Sequence, residues 1–229
     1  MNTFISFDID GTLIKFGGES VKHPIAVRDA FNELLKLKIK EYPEKFIAKQ
    51  SDGWTDSQLC REMLKSAKIT PSHDLLLNFQ KKTEDIYYSI IKPNFNIVPG
   101  AHKFLSYLSQ KPNIVLGIAT GNFEKIAWKK IQLSNLEKYF SHHIGGFGNS
   151  LTRKEILQNA LKDAITKGFG PFQRMIHVGD TKSDAVAAFE CGFESIIMKT
   201  GRQKDGFPKY AKIFNDFETD FQKLIDYIK

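Results

Sequence analysis

Phe4-Ile5-Ser6-Phe7-Asp8-Ile9-Asp10-Gly11-Thr12-Leu13 is the stretch from which the rest of the chain is read. Its short apolar run predicts a buried strand, and the Gly-Thr that follows two carboxylates marks the turn where that strand ends. Asp8 and Asp10 then stand together at a strand tip. Two carboxylates at a mostly dry strand end repel each other unless a cation or a shared proton compensates, so the pair asks for a metal. The spacing also suits a division in which one acid is a nucleophile and the other carries a proton. A strand ending in a solvated acidic turn would look the same over these ten residues, so the remainder of the chain decides.

Composition bounds the answer. A chain of 229 residues with 41% hydrophobic and 12% aromatic residues can bury a substantial core, as one large domain or a domain with a smaller insert. The formal net charge of +7 points to an anionic partner, which could be a phosphorylated metabolite, nucleic acid or a membrane surface. The lysines are scattered and form no block, as on solvated helix faces, which disfavours nucleic acid. Cys60 and Cys191 lie far apart with no CxxC or Cys/His spacing, and read as reduced thiols of an intracellular protein, not as a zinc site or a disulfide framework. The N-terminal apolar run is too short for a signal segment, and no stretch is long enough to span a bilayer. A soluble cytoplasmic protein is expected.

Beyond Leu13 the pattern changes. From Ile25 to Ile91 apolar residues recur at helical spacing, as in Ala26, Val27, Ala30 and Phe31, and again in Leu75, Leu76, Phe79 and Ile86. Pro24, Pro43, Pro71 and Pro93 punctuate the pieces. Strand signals resume with Ile114 to Thr120, a weaker one around His142 to Gly145, then Met175 to Asp180, Ser195 to Met198 and Ile213-Phe214. Thr152-Arg153-Lys154-Glu155 is a capping box opening a helix, and Asp216 is the expected N-cap of the last helix. Continuous apolar strands alternating with helices predict an α/β fold, a doubly wound parallel sheet covered on both faces, with an inserted all-helical module. The expected boundaries are 1–14 and 95–229 for the sheet domain and 15–94 for the insert.

In an open parallel sheet ligands bind outside the carboxyl ends of the strands. The polar residues collect there: Asp8 and Asp10 after the first strand, Thr120-Gly121-Asn122 after the second, Arg153 and Lys154 at the start of a later helix, and Gly179-Asp180 with Asp184 one turn on. Taken singly, each could be a plain helix cap or a solvated charge.

In this order they resemble the motifs of the haloacid dehalogenase (HAD) superfamily, in its Asp-x-Asp-Gly-Thr phosphatase form, with a HAD-like Rossmannoid core. The match runs from residue 4 to about 184. The commonest basic residue of that pattern is a lysine followed by proline. Here Arg153-Lys154 follows Gly145-Gly146-Phe147-Gly148-Asn149-Ser150, which favours Arg153 and leaves Lys154 open. The insert looks like the C1 type of cap. Gly53-Trp54-Thr55-Asp56 resembles a segment of phosphoglycolate phosphatase-like members, with a tryptophan in place of their usual basic or small residue.

The resemblance implies a Mg²⁺-dependent phosphatase acting on a small phosphorylated metabolite, of the phosphoglycolate or sugar-phosphate class. Asp8 would attack phosphorus and form an aspartyl-phosphate, and Asp10 would protonate the leaving alcohol and then activate water. Mg²⁺ would be held by Asp8, the backbone carbonyl of Asp10 and Asp180, with Asp184 in the outer shell. Thr120, the N–H groups of Gly121 and Asn122, and Arg153 would hold the phosphoryl oxygens. Lys15, Trp54 and Asp56 are candidates for substrate selection by position. Asp10 argues against dehalogenase chemistry. A phosphomutase shares all these core residues, and a catalytically idle binding module would have no need of three repelling carboxylates in one place.

Overall fold

The computed structural model describes residues 2–49 and 53–229. Strand β1 (Thr3–Phe7) is buried at all five positions. Its side chains alternate between two cores: Ile5 and Phe7 pack with Phe104, Leu105 and Phe217, and Phe4 packs with Ile144, Ile156 and Leu157. A strand apolar on both faces is stable only when both are covered. Each such side chain contributes about 1.5–3 kcal/mol relative to exposure.

The chain continues through α1 (Lys22–Leu35), α2 (Pro43–Ile47), α3 (Asp56–Ser66), α4 (His73–Ile90) and α5 (Ala101–Ser109) to β2 (Ile114–Ala119). Then follow α6 (Glu124–Leu133), β3 (Gly145–Gly146), α7 (Arg153–Thr166), β4 (Arg174–Gly179), α8 (Lys182–Glu190), β5 (Glu194–Met198), β6 (Lys212–Phe214) and α9 (Phe221–Ile228). The sheet order is β3-β2-β1-β4-β5-β6, with every pair parallel. Helices α5, α6 and α9 supply the core on one face, and α7 and α8 the core on the other. The chain leaves β1 toward β2 and β3, then returns to β4 on the opposite side. This reversal opens a crevice outside the carboxyl ends of β1 and β4.

Helices α1 to α4 have a core of their own, built from Ala26, Phe31, Met63, Leu64, Phe79 and Tyr87 among others. It continues onto the sheet domain through Phe123 and Ile126 at the start of α6. Ser72 and Thr55 cap α4 and α3 by accepting the N–H groups of Leu75 and Gln58. Among the described residues between β1 and β2 no strand forms, as the helical spacing predicts.

Two expectations are corrected. The third strand is not His142 to Gly145 but the two residues Gly145–Gly146, paired with Ile118 and Ala119. The pair allows a close approach, since a Cβ at Gly146 would overlap the carbonyl of Ile156 in α7. The last helix does not start at Asp216. Asp216 instead closes a turn by accepting the N–H groups of Glu218 and Thr219 at 2.9 and 2.6 Å, and the helix begins at Phe221.

Candidate active site

Asp8 follows β1, and its N–H donates to the Val178 carbonyl of β4 at 2.9 Å, so β1 and β4 end side by side. Gly11, with φ +85°, then turns the chain back, and the N–H groups of Leu13 and Ile14 donate to the Ile9 carbonyl. Only glycine fits here: a Cβ would meet the Asp180 carboxylate, and φ is in the left-handed region. Thr12, fully buried, donates its hydroxyl to Asp180 Oδ1 at 3.3 Å.

Thr181 and Asp184 form a capping box at the start of α8, which draws Asp184 back beneath Asp180. Both oxygens of Asp184 are engaged. Oδ2 accepts from the Thr181 hydroxyl at 2.6 Å and N–H at 3.0 Å, while Oδ1 lies 2.9 Å from Arg153 Nη1 and 3.4 Å from His177 Nε2. Arg153 opens α7 behind the Thr152 cap; its Nη1 approaches Asp8 Oδ1 at 3.3 Å and its Nε donates to the Gly53 carbonyl at 3.0 Å. Lys154, the next residue, is exposed and points away, 4.0 Å from Glu190.

Asp8, Asp180 and Asp184 are all buried, and one oxygen of each lies within 4.8 Å of the others. Burial pushes the Asp180 carboxyl well above the usual range, and repulsion from Asp184 and Asp8 adds to this against the pull of Arg153. Asp8 is raised too, chiefly by burial, which the Arg153 charge and a Thr120 hydrogen bond do not fully offset. Burial acts the same way on Asp184, but Arg153 and His177 outweigh it and hold that carboxyl well below the ordinary value. Asp8 Oδ1 and Asp180 Oδ2 have no aligned hydrogen-bond donor. Buried acceptors without donors, in a cluster of acids that resist joint ionisation, fit a hard divalent cation.

Asp10 sits beside this cluster and is partly exposed. Its Oδ2 accepts from Lys130 Nζ at 2.5 Å and Asn122 Nδ2 at 2.9 Å. Burial opposes ionisation of Asp10, yet the Lys130 ammonium and the two hydrogen bonds hold its carboxyl below the usual range. Thr120 is fully buried and accepts from Asn122 Nδ2 at 2.8 Å. The Gly121 carbonyl accepts the Asp56 N–H at 2.8 Å, and the Gly148 carbonyl accepts the Ser57 N–H at 3.0 Å. The first turn of α3 is thereby tied to the loops after β2 and β3.

A cavity of about 350 Å³ lies over these groups. Its lining includes Asp8, Asp10, Arg153 and Asp180, together with Phe16, His23, Tyr42, Trp54 and Asp56. Trp54 and Asp56 are therefore brought to the site. Lys15 is not: it is exposed and not among the lining residues. Sequence reasoning missed Thr12, His23, His177 and Lys130. Lys130 carried a usable signal, since it falls in the same helical stripe as Phe123, Ile126, Ala127 and Ile131.

The family model of haloacid dehalogenase-like hydrolases matches residues 4–192. The chain is 23% identical over 197 residues to the phosphoglycolate phosphatase of Pseudomonas fluorescens, covering 86% of this chain and 69% of that protein. Among solved structures it is similar to a protein described as a predicted phosphatase from Clostridium acetobutylicum, with a TM-score of 0.70 at 15% identity over 99% of each chain. It is also similar to a β-phosphoglucomutase from Clostridium difficile, with a TM-score of 0.70 at 20% identity over 100% of this chain and 99% of that one. At these identities the structural likenesses bear on the fold.

Proposed function

The chain belongs to the haloacid dehalogenase-like hydrolase family, and from that premise we propose that it is a Mg²⁺-dependent phosphatase. Its substrate would be a small phosphorylated metabolite of the phosphoglycolate or sugar-phosphate class. The observation that carries this reading is the buried cluster of Asp8, Asp180 and Asp184, with oxygens on the first two that no aligned hydrogen-bond donor reaches and with Arg153 and Asp10 beside it. Asp8, the backbone carbonyl of Asp10 and Asp180 would hold the ion, and Asp184, with both oxygens already engaged, would stay in the outer shell. When bound there, the ion would supply charge neutralisation for the phosphoryl oxygens.

The protein groups divide the remaining work. Asp8 attacks phosphorus and becomes an aspartyl-phosphate, while Arg153 and Thr120, with the N–H groups of Gly121 and Asn122, hold the equatorial oxygens. A phosphate monoester entering as its monoanion supplies the proton that the Lys130-paired Asp10 carboxylate lacks; Asp10 passes it to the departing alcohol, then takes one from the water that hydrolyses the acyl phosphate. Residues 15–94 act as a cap that excludes bulk water, with Trp54 and Asp56 facing the leaving group. Two free cysteines, one buried and one half-buried, suit a reducing cytoplasm. No helix among the described residues is long and apolar enough to cross a membrane.

Phosphate release from p-nitrophenyl phosphate and a panel of phosphate monoesters, with and without Mg²⁺, tests the proposal. Mg²⁺-dependent release that disappears in Asp8→Asn is expected. Equal release by both proteins would overturn it, and phosphate that moves to a second hydroxyl of the same sugar would reveal a mutase.

A further inference from the structure

Resting on that reading, the buried contacts around Asp10 carry a further assignment. Lys130 is an α6 residue whose side chain is only 1% exposed. A buried ammonium is costly unless its hydrogens are matched, and removal of one partner leaves an uncompensated charge. Here two are matched, by Asp10 Oδ2 at 2.5 Å and Asn122 Oδ1 at 2.6 Å, and His23 Nδ1 lies 3.4 Å from the ammonium, able to accept the third in the tautomer that carries its hydrogen on Nε2. His23, from α1, has its Nε2 3.0 Å from Oδ2 of Asp56, from α3, a close approach without an aligned hydrogen bond. Asp56 Oδ2 accepts the Phe123 N–H at 2.6 Å, at the N-terminus of the helix that carries Lys130.

We infer that Lys130 is the positioning residue for Asp10, seated in a socket that His23 and Asp56 of the inserted helices complete. Lys130 and Asn122 both grip Oδ2 and so fix the plane of the carboxylate. Oδ1 is left with no hydrogen-bond partner among the described residues, on a side chain that lines the cavity. That oxygen is the one presented to the leaving group. Lys130 touches no reacting atom, and its effect is exerted through Asp10. The arrangement also makes the geometry of the proton carrier depend on the inserted helices being docked, because two of the residues that shape the socket belong to them.

The test uses a difference between leaving groups. Expulsion of p-nitrophenolate from an aryl ester needs little help from an acid, whereas an alkoxide leaves an alkyl phosphate only with a proton. Lys130→Met should therefore lower kcat/KM for an alkyl phosphate by about 10²-fold or more beyond its effect on p-nitrophenyl phosphate. Lys130→Arg should restore part of the loss. In an Asp10→Asn background Lys130→Met should add little, since the two act as a unit. Equal loss on both esters, or full additivity with Asp10→Asn, would overturn the assignment and leave Lys130 as a packing residue. Should Lys130→Met fail to fold, His23→Phe takes its place: a selective loss of about tenfold on the alkyl ester supports the socket, and an unchanged ratio refutes it. Wild-type protein without Mg²⁺-dependent release from any ester refutes the phosphatase reading itself, a result distinguishable from all of these.

Discussion

Replacing Asp180 by asparagine should stabilise the metal-free protein while abolishing its response to Mg²⁺. At an effective dielectric of about 20, two unit charges at the 4.8 Å limit of the cluster repel by about 3.5 kcal/mol. Asp180 has two such neighbours, Asp8 and Asp184, and one compensating cation, Arg153, so roughly one repulsion stays uncancelled. Protonation caps the penalty, because neutralising an ordinary carboxyl at pH 7 costs about 4 kcal/mol. Allowing for relaxation, Asp180→Asn is worth about 2–3 kcal/mol near neutral pH, which raises Tm by about 4–12 °C for a chain of this size. The sign follows from linkage. A carboxyl raised in the folded state keeps its proton where the unfolded chain has lost it, so its contribution to stability falls as pH rises from the ordinary value toward the raised one. Thermal melts in EDTA between pH 4 and 8 should thus show a downward slope in the wild type that is shallower in Asp180→Asn. Mg²⁺ at about 100 times its Kd should add about 2.7 kcal/mol to the wild type and nothing to the variant. A variant that folds natively yet melts at or below the wild-type temperature in EDTA at pH 8 would refute the repulsion argument.

Other perturbations separate the remaining roles. Asp8→Asn should cut turnover by at least about 10³-fold with the circular dichroism spectrum unchanged, and substantial residual activity would count against Asp8 as nucleophile. Arg153→Met should lower kcat/KM by about 10²–10³-fold. Lys154→Met, on an exposed side chain, should stay within about twofold, and the reverse ranking would exchange the two assignments. Gly11→Ala combines φ +85° with a clash against Asp180, so it should cost about 1–3 kcal/mol in a chemical denaturation curve and weaken Mg²⁺ binding in calorimetry.

What the sequence made legible is what depends on neighbours in the chain. Asp8, Thr120 and Asp180 each follow an apolar run and precede a turn or cap, and one parallel sheet then carries all three to the same edge. Arg153 was legible through its capping box. Lys130 was not, because its partner Asp10 lies 120 positions away and only the docking of α6 beside β1 joins them. Its place in the apolar stripe of α6 was visible, but a lysine among Trp128, Lys129 and Ile131 reads as one more solvated charge until the helix is packed. Lys15 was named by position alone, and nearness in sequence to Asp10 does not fix direction: the residue is exposed and outside the cavity lining. At Asp216 the local chemistry was read correctly as N–H capping, but a turn and not the helix uses it.

The charges at the cavity floor explain why cation and phosphate would bind in concert. Asp8, Asp10, Asp180 and Asp184 bring four carboxylates to one place, and among the described residues Arg153 and Lys130 are the Lys or Arg side chains paired with them, with His177 beside Asp184. Lys130 answers Asp10, and Arg153 is divided between Asp8 and Asp184, which leaves Asp180 as the acid with the least help. It is also the acid pushed well above the ordinary range, with a buried oxygen that no donor reaches. A phosphate dianion entering this floor would meet a negative field that one guanidinium does not reverse. A divalent ion beside Asp180 would cancel the surplus, and phosphate would then gain from both the ion and Arg153. Each ligand would thus raise the affinity of the other by the same factor, as reciprocal coupling requires. The buried acids that cost stability in the empty protein are the source of that coupling.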